Sequence, residues 1–151
     1  MFNRLTVILC WKFICGQPRS YIADNEKDLT KEEVIKRLGQ PDKYIISISE
    51  FENIRQENFY YGNERIIILN GELSEFFITS PKCRLNIPSG PITIGDNISI
   101  LIDFENIAVT KIKDDKYPNM ILYSIGNDCF NGICGTDNAG NIISFYYTVR
   151  D

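Results

Sequence analysis

Two stretches of this chain lie over one another without a gap. Gly71-Glu-Leu-Ser-Glu-Phe-Phe-Ile-Thr79 matches Gly140-Asn-Ile-Ile-Ser-Phe-Tyr-Tyr-Thr148, with Gly, Phe and Thr identical and Leu/Ile and Phe/Tyr exchanges between them. Each stretch leaves a glycine turn and alternates its residues with period two, as a half-buried strand does. A duplicated hairpin constrains the fold strongly, because a unit that cannot bury its own apolar face must stack on its copy. The composition agrees. Ile and Asn make up about a quarter of the chain while Ala is rare, and β-branched residues fit pleated, half-buried surfaces.

Upstream of the first hairpin stands one helix signal. In Leu29-Thr-Lys-Glu-Glu-Val-Ile-Lys-Arg-Leu-Gly-Gln-Pro41, Thr30 and Glu33 form a capping box. Glu32 and Glu33 suit the positive helix start, and Lys36 and Arg37 the negative end. Val34, Ile35 and Leu38 make an apolar stripe, Gly39 is placed for a positive-φ cap, and Pro41 stops the helix. Strands are then predicted over Tyr44–Ile48, Glu57–Tyr61, Arg65–Leu69 and Leu73–Thr79, with Asn70-Gly71 as a two-residue hairpin turn. Pro81, Pro88, Gly90 and Pro91 mark a linker. The order then starts again. Ile94–Ile102 reads as a helix capped by Asp96, or as a strand, because an Ile-rich run suits both. Strands follow over Met120–Ile125, Gly132–Gly135 and Ile142–Val149, with Asn138–Asn141 as a turn. The helix starts Thr30 and Asp96 are 66 residues apart and the hairpins 69. Near-equal offsets point to duplication.

The first residues read in two ways. Arg4 followed by the apolar run from Leu5 to Gly16 has the shape of a secretory signal peptide, with Gly16 or Ala23 at the cleavage position. The alternative is an N-terminal β-strand of a cytoplasmic protein. The run is too short to span a bilayer. Removing it through Gly16 leaves Cys83, Cys129 and Cys134. Cys129 and Cys134 enclose a short turn, so they either staple it in an oxidising compartment or stand as ordinary strand cysteines.

Several chemistries are argued against. Net charge is −4, with pI near 4.9 and no basic cluster, which disfavours nucleic acid as a partner. The chain has no His, so the commonest general base and metal ligand is missing. Asp114-Asp115 sits in a Lys-rich solvated loop. Gly126-Asn-Asp and Gly135-Thr-Asp-Asn-Ala-Gly lack the closing Glu of a calcium loop. No phosphate-binding or nucleophile-elbow motif occurs. The expectation is a protein that is not an enzyme and carries no cofactor and no metal.

Leu29-Thr30, Val34, Leu38-Gly39, Pro41, Tyr60, Tyr61 and the hairpin Asn70-Gly71-Glu72-Leu73 resemble the pattern of the small outer-membrane-assembly lipoprotein family. Its wider fold group includes the β-lactamase inhibitor protein, a tandem repeat of this unit. The pattern covers roughly residues 28–79 and, more loosely, 92–149. The resemblance implies an α+β fold of two helix-plus-antiparallel-meander units in tandem, a protein-binding role and an extracytoplasmic location. The chain departs from that family at the cysteines: Phe13 and Ile14 precede Cys15, and Ile8 and Leu9 precede Cys10, where lipidation wants a small residue.

The resulting division is 1–23 leader, 24–80 first unit, 81–91 linker and 92–151 second unit. Helices on one sheet face leave the other free. Leu73, Glu75, Phe77, Thr79 and Ile142, Ser144, Tyr146, Thr148 form one alternating set. The candidate binding residues are Tyr60, Tyr61, Glu75, Phe77, Ser144 and Tyr146. The predicted function is an exported periplasmic or cell-envelope module that binds another protein, compatible with peripheral membrane association. The alternatives are a structural envelope-maintenance protein and a cytoplasmic immunity-like binder.

Overall fold

The computed structural model describes residues 12–17, 20–23, 26–87, 90–102, 108–112, 118–126 and 131–148. Helix α1 (Lys31–Leu38) begins where the capping box sets it. Thr30 Oγ1 accepts a hydrogen bond from the Glu33 backbone N–H at 3.2 Å. Val34 is the buried residue of its stripe. Gly39 closes the helix at φ 93°, where a side chain would be strained, and its N–H donates to the Ile35 carbonyl at 2.8 Å.

The rest is sheet. One sheet contains β3 (Lys43–Ser49), β4 (Ile54–Tyr61), β5 (Glu64–Leu69), β6 (Glu72–Ile78), β9 (Ala108–Ile112), β10 (Ile121–Gly126), β11 (Asn131–Thr136) and β12 (Ile142–Thr148). Its spatial order is β3-β4-β5-β6-β12-β11-β10-β9. The second sheet contains β1 (Lys12–Gln17), β2 (Ser20–Ala23), β7 (Cys83–Ile87) and β8 (Gly90–Thr93), in the order β2-β1-β7-β8. Every pairing is antiparallel. The predicted Asn70-Gly71 turn forms, with φ 49° and 81°, the double positive φ that the tightest hairpins need. The two matched hairpins meet at the sheet's seam, where Phe77 pairs with Tyr146 across β6 and β12.

The described residues form a mostly β protein, 60% strand against 11% helix, not the expected α+β arrangement of helix-plus-meander units. The physical reason lies in residues read as leader and linker. Residues 12–17 and 20–23 pair with one another, and 12–15 pair with 83–86 from the expected linker. Strand pairing there satisfies backbone groups that loops would leave to water. The expected second helix shrinks to α2 (Ser99–Ile102), a single turn. Asp96 is not its cap: Asp96 Oδ2 accepts from the Thr93 N–H at 2.9 Å, and Asn97 Oδ1 accepts from the Ser99 N–H at 3.0 Å. Strand β9 was not anticipated.

The smaller sheet and α1 cover one face of the larger. Phe13 on β1 lies at the centre, 1% exposed. Its ring centroid is 5.1 Å from Phe76, 5.8 Å from Phe145 and 4.9 Å from Tyr147. Ile66, Ile68, Ile78 and Leu85 complete the layer between the sheets, each 0% exposed. Cys15 and Cys83, partners in the β1–β7 register, form a disulfide. Of the two readings of Cys129 and Cys134, the bridge is not formed at Cys134, which is a free, buried thiol on a strand; Cys129 lies outside the described residues. Burial pushes the Cys134 thiol up to about 12, so it stays protonated and unreactive.

Glu64 joins the β6–β7 connection to the large sheet. Its Oε2 accepts from the Thr79 N–H at 2.9 Å, the Ser80 N–H at 3.0 Å and the Ser80 hydroxyl at 2.7 Å, and Lys82 Nζ lies 3.4 Å from Oε1. Burial pushes its carboxyl pKa up, but these hydrogen bonds and Lys82 outweigh burial and hold it below the ordinary value. A carboxyl depressed on folding stabilises above its unfolded pKa and loses that stabilisation as pH falls through its folded pKa. Glu64→Gln is therefore expected to cost about 1.5–3 kcal/mol at neutral pH. The gap between variant and wild type should narrow at acid pH, as pH falls through the depressed folded-state pKa of Glu64. Urea titrations at the two pH values check this; an equal gap at both would refute the assignment.

Candidate functional site

The face of the large sheet turned away from the smaller sheet is built by register. Tyr60 pairs with Arg65, Arg65 with Phe77, and Phe77 with Tyr146. Directly opposed residues share a face, so these four side chains form one row across β4, β5, β6 and β12. At ordinary strand spacing the row is about 14 Å wide. Together with Asn63 these residues line a shallow cavity of about 380 Å³. Glu75 ties the row together. Its Oε1 accepts from Arg65 Nη2 at 2.9 Å and from the Tyr146 hydroxyl at 2.8 Å. All five of Tyr60, Arg65, Glu75, Phe77 and Tyr146 are half-buried.

Two β-bulges create this arrangement. Leu69 faces Glu72 and Ile68 faces Leu73, but Ile67 faces Glu75 and Arg65 faces Phe77. One extra residue in β6 changes the face of everything beyond it. Leu73 consequently points into the core at 1% exposed, while Glu75 and Phe77 stand on the outer face. The same shift occurs between β11 and β12, where Gly135 faces Ser144 but Thr136 faces Ile142. Ile142 is buried at 1%. The expected alternating set thus holds for Glu75, Phe77, Ser144 and Tyr146, and fails at Leu73 and Ile142.

Four of the six candidate residues come together: Tyr60, Glu75, Phe77 and Tyr146. Ser144 shares their face but is 4% exposed, with its Oγ 3.5 Å from Met120 Sδ, so a partner cannot reach it. Tyr61 faces the other way. It packs against the core, donates its hydroxyl to the Gly39 carbonyl at 3.0 Å and lies under Lys82 Nζ, 3.9 Å from its ring centroid. Burial pushes the Tyr61 phenol up to about 12, which marks a structural residue. Sequence reasoning missed Arg65 and Asn63. An unbulged hairpin through Asn70-Gly71 would set Arg65 opposite Phe76, on the core face, and no local signal announced the bulge.

The row can hold a partner's side chain between flat aromatic surfaces, and it offers the charged Arg65–Glu75 pair for hydrogen bonds. Elsewhere, the Asp137 carboxylate is used by its own turn. The hydrogen bond from the Asn141 N–H, at 2.9 Å, is the main influence holding its pKa below the usual value, and the Ala139 N–H adds to it, also at 2.9 Å. Among the described residues there is no group of acids and cysteines arranged to hold a metal, and no helix is long and apolar enough to cross a membrane.

The fold and face define the molecule at the level of class: an antiparallel β protein of two stacked sheets whose described residues leave an aromatic row on the outer face of the larger one. The chain matches no protein-family model, no curated protein and no solved structure.

Proposed function

We propose that this chain is an exported, non-catalytic protein-binding module that uses the outer face of its larger sheet. The carrying observation is the Tyr60–Arg65–Phe77–Tyr146 row, tethered through Glu75. Tyr, Phe and Arg at a half-exposed centre suit protein recognition, because each covers a large area or several hydrogen bonds at small entropic cost. The Arg65–Glu75 and Tyr146–Glu75 bonds hold the row in place before a partner arrives, which lowers the ordering cost of binding. The Cys15–Cys83 disulfide supports export, since such bonds persist mainly in oxidising compartments such as the periplasm. Export with this fold intact requires any cleavage to fall before Lys12, because Phe13 and Cys15 are core residues.

Phe77→Ala combined with Tyr146→Ala is expected to abolish partner capture. Central anchors of this type are worth about 2 kcal/mol or more each. Half-exposed positions should cost the fold far less. The measurement compares proteins retained from envelope extract by wild type and by the double variant, beside their thermal melts. Identical capture by both would reject the reading. Unfolding of either single variant would make these residues structural instead.

A further inference from the structure

A cavity of about 710 Å³ lies where the end of α1 meets the β6–β7 connection and strands β7 and β8. That size is within the range of small-molecule sites. Its walls carry Lys36, Arg37, Lys82 and Arg84 and, among the described residues, no carboxylate. Four of the chain's 16 Lys and Arg thus meet at one place in a protein with 20 Asp and Glu and a net charge of −4. The chain order hides this cluster, because only the fold brings residues 36–37 beside 82–84. Helix polarity accounts for one wall: Lys36 and Arg37 suit the negative end of α1. Lys82 and Arg84 come from the other wall. Like charges drawn into one cavity repel each other, and an anion between them relieves that repulsion.

Acids outside the cavity hold its cations in place. Arg37 pairs with Glu26 at 2.5 Å and with Glu33 at 3.5 Å, and Lys82 pairs with Glu64 at 3.4 Å. The Arg37 side chain is 20% exposed and that of Lys82 19%, so neither swings freely into solvent. Glu64 engages only part of the Lys82 ammonium, which carries three donors. Lys36 forms no ion pair among the described residues. Arg84 Nε donates to the uncharged Asn86 Oδ1 at 3.3 Å, which orients its guanidinium. The hydroxyls of the cavity are turned elsewhere: Ser80 donates to Glu64 and Thr93 to the Cys83 carbonyl. Recognition here rests on charge rather than on neutral hydrogen bonds. We propose that this cavity binds a small polyanion, one anionic group against Lys36 and Arg37 and a second against Lys82 and Arg84. Phosphate and carboxylate groups both meet this chemistry. The cavity shares no residue with the outer-face row, so the proposal stands or falls separately from the protein-binding reading.

Isothermal titration calorimetry of the purified full chain tests it, with pyrophosphate and citrate as probes and glycerol as the neutral control. At low salt at least one of the two polyanions should bind at one saturable site, and its affinity should fall as salt rises. Tighter binding of pyrophosphate would assign the site to a phosphate-bearing ligand, and tighter binding of citrate to a polycarboxylate. Lys36→Gln combined with Arg84→Gln should weaken binding at least about tenfold, because each removes a charge-assisted hydrogen bond. Lys36→Gln alone, at an exposed helix position, should weaken it about threefold or more. Lys111→Gln, exposed on β9, should leave it unchanged. Thermal melts confirm that each variant is folded. No saturable binding of either polyanion, equal binding of glycerol, equal affinity in wild type and the Lys36→Gln variants, or the same loss in Lys111→Gln would each overturn the proposal.

Discussion

Replacing Phe13 with Ala should lower the unfolding free energy by about 3–5 kcal/mol, the range for deleting a large buried aromatic side chain. Phe13 is 1% exposed and meets Phe76, Phe145 and Tyr147 at centroid distances of 4.9 to 5.8 Å. Phe76 belongs to β6 and the other two to β12, so this one ring covers the seam where the two matched hairpins join. Neighbouring side chains cannot collapse into the vacated space, because they are fixed on paired strands of two sheets. Edge-to-face contacts add to the area term. Guanidinium titration of wild type and variant measures the effect. A difference under about 1 kcal/mol would show that β1 is not part of the folded core.

Breaking the Cys15–Cys83 disulfide should have a comparable effect. The cysteines are 68 residues apart in sequence, and closing a loop of that length removes about 4 kcal/mol of chain entropy from the unfolded state. The bridge joins β1 to β7, and β1 brings Phe13 to the core, so losing it also loosens the strand that carries the ring. Denaturant midpoints with and without reductant, and for Cys15→Ala/Cys83→Ala, test this. An unchanged midpoint would refute it. The two losses should not add, because Phe13 and Cys15 lie on one short strand and share its docking.

These two residues also mark where the sequence was hardest to read. A short apolar run behind Arg4 has the composition of a leader, and a strand that completes a buried sheet has the same composition. Setting that run aside as leader removed Cys15 from consideration and left Cys83 without its partner. The linker reading failed for a related reason. Pro81 stands before β7, Gly90 and Pro91 open the edge strand β8, which tolerates a proline, and Pro88 lies outside the described residues.

The candidate face was partly legible. Alternation correctly set Phe76 and Phe145 against Phe77 and Tyr146, because the period of a strand is a property of its backbone. Tyr61 was misplaced because neighbouring aromatics point to opposite faces, and only the register shows that Tyr60 takes the outer one.

The chain's own chemistry determined what needs only near neighbours. The capping box at Thr30 and Glu33 started the helix, Gly39 ended it, and Asn70-Gly71 turned the hairpin, each through contacts within a few residues. Tertiary structure alone decided three things: the docking of β1 over the seam, the pairing of Cys15 with Cys83, and the two bulges that turned Glu75, Phe77 and Tyr146 outward. These depend on which distant strands meet and at what register. That choice is made by burying one whole face of an eight-stranded sheet, so no short window of sequence contains it.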